Sequence, residues 1–208
     1  QTSKSALISV ANAKLTHTPT TEDKCYTAEG KDGSGSSNLY ISYSSAPRNL
    51  PSDAAVVAFL IDDGVASLGH RRWLLHPFLS HTSFGRVDGT PLVSSPWSNV
   101  TGMSLKVIGF PAADLTSTNI EYIAYPEGDY PSAYYKHGWF MSFSVLANKS
   151  GTFANGSSVV DFSAATVEVR DAGGAALTVA EQSANYSGYG IPNALQWKVA
   201  CTVNNVHY

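Results

Sequence analysis

S-L-G-H-R-R-W-L-L-H-P-F-L-S-H-T-S-F-G, residues 67 to 85, is the stretch where reactive side chains are densest. His70, two adjacent arginines and a tryptophan fall together between Leu68 and the Leu74-Leu75 pair, and His76 and His81 follow. Pro77 cannot sit in a helix interior and disfavours helical geometry at His76 before it, so the pattern predicts a helix from Ser67 to about Leu75. Leu68, Trp73, Leu74 and Leu75 are its expected inward contacts. His70 stands three residues before Trp73 and four before Leu74, which puts its ring on the same face, at the edge of a core or pocket.

Upstream, Ala54 to Ile61 reads as a short, mostly buried helix opened by Pro51-Ser52-Asp53 and closed at Asp62-Asp63-Gly64. Residues 1–16 read as the end of a helix, with Ala6, Leu7, Val10, Ala11 and Leu15 recurring at three- and four-residue spacing. The chain opens at Gln1, and the expectation is a processed product whose first helix is incomplete. Thr18 to Ser37, rich in Thr, Asp, Lys, Gly and Ser, reads as loop. Downstream the period changes to that of strands: Leu105 to Phe110, Ile120 to Tyr125, Trp139 to Val145, Thr166 to Arg170, Ala176 to Ala180 and Leu195 to Val203. Asp171-Ala172-Gly173-Gly174 is a hairpin turn.

Phe59, Gly69-His70-Arg71, Leu74-Leu75, Pro77 and Phe84-Gly85 together resemble the centre of the CAP superfamily, the cysteine-rich secretory, antigen-five and pathogenesis-related group, in its bacterial secreted form. Two upstream pieces follow in the order that family requires. Ala13 to Pro19 (A-K-L-T-H-T-P) resembles its helix end and following histidine, and Ser36-Ser37-Asn38-Leu39 resembles its Gly-Glu-Asn-Ile segment. The resemblance spans roughly the first 110 residues. It implies an α+β fold, a CAP-like α-β-α sandwich over 1–152, with a C-terminal β extension over 153–208 packed on the core.

The resemblance also implies a central cavity with two histidines and two acidic residues, which in some members hold a divalent metal. His70 matches one histidine and Asp62 one acidic position. Ser37 replaces the glutamate before Asn38, and Ser3-Lys4-Ser5-Ala6 holds no imidazole. Two ligands fall short of the three or four of a firm zinc site, so at most a weakly bound zinc-like ion is implied, with His17 as a recruited third ligand. The simpler reading of His17 is a donor to the last carbonyls of a helix. The expected cavity set is His70, Asp62, His17, Ser37, Asn38 and Arg71.

Composition narrows the partners. Charged residues are 14% of the chain, the net charge is −3, and the longest basic run is Arg71-Arg72, so the footprint of a nucleic-acid binder is missing. No stretch of about 18 apolar residues exists to form a spanning helix. Ser, Thr, Asn, Gly and Tyr dominate where a cytosolic protein would use Lys and Glu, and the expected location is secreted or cell-envelope. In that setting Cys25 and Cys201 form one disulfide; the alternative is two unrelated buried thiols. Sequons at Asn99, Asn148, Asn155 and Asn185 are expected in polar turns.

Three functions compete. The first is a module binding a small ligand, a lipid or an extracellular or cell-wall partner in its cavity, without catalysis. The second is a hydrolase with His70 as base, Asp62 or Asp63 orienting it, and Ser36, Ser37 or Ser67 as candidate hydroxyl. The third is a structural envelope module in which His70, Arg71 and Arg72 cement the core. The aromatic crowd from Tyr122 to Phe143 reads chiefly as sheet packing, with a sugar- or peptide-binding groove as its functional alternative. The first function is the favoured expectation.

Overall fold

Glycines and small side chains set the architecture of the first half of the chain. In this computed structural model, which describes residues 1–136 and 138–200, helix α1 (Thr2–Ala11) lies against a three-stranded antiparallel sheet. The strands are β1 (Ser37–Ser44), β2 (Ser83–Gly89) and β3 (Asn99–Lys106), in the order β1-β3-β2. A Cβ added at Gly85 would lie 2.3 Å from the Ser3 amide nitrogen, and one at Gly102 would lie 2.7 Å from the Ala6 carbonyl. The helix backbone therefore rests almost directly on the sheet at these two positions, where no strand side chain would fit. Thr2, Ser5, Ser9 and Ala6 are buried there, while Leu7 and Leu15, expected to point inward, are exposed. The central strand β3 is buried at every position from Val100 to Leu105.

A second helix, α2 (Ala28–Gly35), occupies part of the segment expected to be loop. Its sequence, A-E-G-K-D-G-S-G, has no apolar stripe to announce it. Thr27 caps it, its hydroxyl accepting the Gly30 amide at 3.0 Å, and Gly30 and Gly33 let it approach α1. The Ser5 and Ser34 hydroxyls, 2.8 Å apart, join the two helices. β3 ends at Lys106, short of the expected Phe110, and β1 extends the Ser37-Asn38-Leu39 segment into a full strand.

Helix α3 (Ala54–Ile61) forms over the expected residues. The chain divides into two compact units: 1–59 with 79–111, and 60–78 with the described residues from Ala112 onward. The second unit holds α4 (Gly69–Leu75), β4 (Tyr122–Tyr125), β5 (Met141–Val145), β6 (Val169–Arg170), β7 (Ala176–Asn185) and β8 (Ala194–Ala200). Its strands form an antiparallel sheet in the order β4-β5-β8-β7-β6. The expected boundary at 152/153 falls inside this unit, because β5 before it and β8 after it are neighbours in one sheet. The Asp171–Gly174 turn joins β6 to β7 as expected, with Gly174 at φ +83°. Phe78, Leu115, Leu146 and Ile191 form an apolar cluster. The fold is thus a mixed α+β fold.

Two buried asparagines tie the unit together. Asn193 accepts the Val145 amide at 2.8 Å and donates to the carbonyls of Val145 and Asn155, while Asn155 accepts the Asn148 amide at 2.7 Å. Asn155, expected at a polar surface turn, is fully buried with its amide spent on main-chain partners.

Candidate functional site

The turn after α3 begins with Asp62 at φ +53°, a left-handed conformation that Asp and Asn tolerate better than most residues. Its side chain is 1% exposed. One carboxylate oxygen, Oδ2, accepts the amides of His70 at 3.0 Å and Arg71 at 3.2 Å; the other, Oδ1, accepts Nδ1–H of His70 at 2.7 Å. Leu68, the residue at the N-cap position of α4, has no side-chain acceptor, so Asp62 supplies the cap from outside the helix.

Arg71 returns the favour to α3. Its Nε donates to the Leu60 carbonyl at 2.7 Å and one Nη to that of Ile61, both in the last turn of α3; the other Nη reaches the Phe140 carbonyl at 2.8 Å and the Ser142 hydroxyl at 3.2 Å. The Tyr125 ring stacks on the guanidinium at 3.8 Å. Burial pulls the Arg71 pKa down to about 10, which leaves the group charged at neutral pH, and pushes the Tyr125 phenol up to about 12.

Arg72 serves the far side of the same unit. It donates to Asn185 Oδ1 at 2.7 Å and to the carbonyls of Ser187 at 2.6 Å, Ile191 at 2.9 Å and Ser67 at 3.3 Å. Gly190, at φ +59°, lies so close that a Cβ there would be 2.3 Å from the Arg72 carbonyl oxygen. His76, buried against Trp73 and Phe78, has its pKa pulled down to about 4 by burial alone.

The expected inward set of α4 is therefore corrected. Leu68 is buried, but Trp73, Leu74 and Leu75 are half-buried, and the two arginines take the interior. Each guanidinium is lined with carbonyls, which makes its burial tolerable. His70 is 29% exposed, with its ring oriented by Asp62. In the neutral ring, donation from Nδ1 puts the lone pair on Nε2.

Asp62, His70 and Arg71 are thus brought together in the second unit. His17, Ser37 and Asn38 belong to the first. His17 Nδ1 bonds the Ser34 carbonyl at 2.8 Å, in the last turn of α2, the helix-end role weighed above, though on a helix that the sequence did not announce. Ser37 and Asn38 are buried at the start of β1. Asp63 is exposed, and Ser67 offers its carbonyl to Arg72. Among the described residues, no three His, Cys, Asp or Glu side chains gather as a metal site would need. Cys25 is exposed, and the expected pairing with Cys201 lies outside the described residues.

His76 was not expected as an interior group, and Arg72 was expected inside only in the reading in which the arginines cement the core. Among the aromatics, Tyr125 is core and Tyr122 is exposed, stacked on Phe143 at 5.3 Å. Comparison with protein-family models, curated proteins and solved structures found no match to this chain.

Proposed function

We propose that this chain is a secreted, CAP-like module that binds a ligand or extracellular partner through His70, without turning it over. The observation that carries the reading is the 2.7 Å bond from His70 Nδ1 to Asp62, which fixes a partly exposed imidazole while Arg71 and Arg72 are spent on carbonyls. The Gly69-His70-Arg71 resemblance implies that this ring lines the family's central cavity. Envelope-facing partners, among them lipids and wall fragments, fit the low charge and the Ser/Thr-rich composition.

Native mass spectrometry of the protein incubated with a bacterial lipid extract and with soluble peptidoglycan fragments tests this. A specific adduct lost in His70→Ala and kept in His17→Ala is expected. No adduct, or one indifferent to His70, overturns the reading.

The same bond supports a second reading, a hydrolase in which Asp62 orients His70 as general base. Turnover of ester or peptide substrates that disappears in His70→Ala would favour it over the binding module.

A further inference from the structure

The sheet of the second unit ends in a strand whose outer side has no strand partner among the described residues. β4 is an edge strand, paired with β5 alone. The Glu121 carbonyl accepts the Leu146 amide at 2.7 Å, and the Val145 main chain is spent on the Asn193 side chain at 2.8 and 2.9 Å. With Tyr122 opposite Val145 and Ala124 opposite Phe143, Ile123 and Tyr125 bond towards β5. The N–H and C=O groups of Tyr122 and Ala124 then point the other way. Those four groups, spaced two residues apart, are the template that an added strand requires.

A groove of about 660 Å³ runs along this edge. Ile120, Tyr122 and Ala124 line its strand side, and Leu75 and Pro77 also line it. Ile120 is 39% and Tyr122 47% exposed, and the stack on Phe143 holds the Tyr122 ring in place. Sheet edges are ordinarily protected by lysine, proline or a covering segment. β4 carries no lysine, and the charges at this groove are the carboxylates of Glu121 and Glu127, both exposed and without an ion-pair partner among the described residues. The neighbouring Lys149 ammonium is held on the Thr118 carbonyl.

We infer that the β4 edge binds an extended peptide with basic side chains, added as a sixth strand beside Tyr122–Tyr125. The outward main-chain groups call for an extended backbone; a sugar or a helix would leave them unpaired. The exposed Ile120 and Tyr122 cover apolar side chains of the guest, and Glu121 and Glu127 select its charge. Four strand residues span about 13 Å, so a hexapeptide covers the edge. This site is independent of His70.

Fluorescence anisotropy with a labelled hexapeptide of alternating lysine and valine, capped at both ends, tests the inference on the intact chain. Comparators are the same peptide N-methylated at the two residues facing Tyr122 and Ala124, a glutamate–valine counterpart, and chitotetraose as competitor. Saturable binding is expected, about tenfold weaker after N-methylation and in the Glu121→Gln/Glu127→Gln variant, and unchanged in His70→Ala. Equal binding of the N-methylated peptide reduces the interaction to charge and overturns the added strand. Preference for the acidic peptide, displacement by chitotetraose, or no saturable binding overturns it as well.

Discussion

Asp62 and Arg71 each complete a helix end for the other: the Asp62 carboxylate accepts the Arg71 amide at 3.2 Å at the start of α4, and the Arg71 guanidinium donates to Leu60 and Ile61 at the close of α3. Four carbonyl or amide groups that the helix ends would leave unpaired are satisfied by this exchange, counting the His70 amide. The Gly69–Leu75 stretch is therefore built first as a frame, and His70 is the group that the frame holds at the surface.

Replacing one member of that frame leaves buried carbonyls or a buried carboxylate unpaired. Arg71→Lys keeps the charge but loses the planar fork, and is expected to lower the free energy of unfolding by about 3 kcal/mol. Arg170→Ala, which breaks an exposed pair with Glu168, is expected to cost less than about 1 kcal/mol. Urea unfolding of the two variants checks the contrast. Equal losses would mean that Arg71 does not brace the two helix ends.

His76 gives stability a definite pH dependence. Its folded pKa, about 4, lies below the ordinary 6.5, so the unfolded chain binds this proton first as pH falls. The contribution is fully present above about pH 6.5 and is lost progressively down to about pH 4, on the order of 3 kcal/mol in all. His76→Phe, which keeps an aromatic ring between Trp73 and Phe78, should flatten the slope of stability against pH across that window. A slope unchanged by the substitution would assign it to other groups.

Gly190 is a steric requirement of Arg72. An added methyl meets the Arg72 carbonyl oxygen at 2.3 Å in a backbone conformation already unfavourable for alanine. Gly190→Ala should cost at least about 2 kcal/mol, while Gly151→Ala, with open space around it, should be nearly neutral. Thermal unfolding of the two separates them.

Much of this was legible in the chain, and the rest was hidden for identifiable reasons. Pro77 marked the end of α4, Asp62-Asp63-Gly64 the end of α3, and Asp171–Gly174 the β6–β7 turn, because each is a local stereochemical signal. α2 was hidden because its stability comes from the Thr27 cap and from glycines that fit against α1, neither of which leaves an apolar period. The inward face of α4 was misread for a related cause. Apolar periodicity assigns arginine to water, whereas here carbonyls from Leu60, Ile61, Phe140, Ser187 and Ile191 converge from distant positions to hold two guanidinium groups. At the candidate site, the sequence left Asp62 and Asp63 as alternatives beside His70; the bond to the His70 ring comes from Asp62, eight residues away, and Asp63 is exposed.

The protonation of the His70 ring tests most directly whether Asp62 orients it. Long-range proton–nitrogen NMR of the imidazole distinguishes which nitrogen carries the hydrogen in the neutral form. The geometry requires Nδ1–H, donated to Asp62 Oδ1, with the lone pair on Nε2, and a shift towards Nε2–H in Asp62→Ala. Nε2–H in the unaltered protein, or a tautomer indifferent to Asp62, would contradict the account.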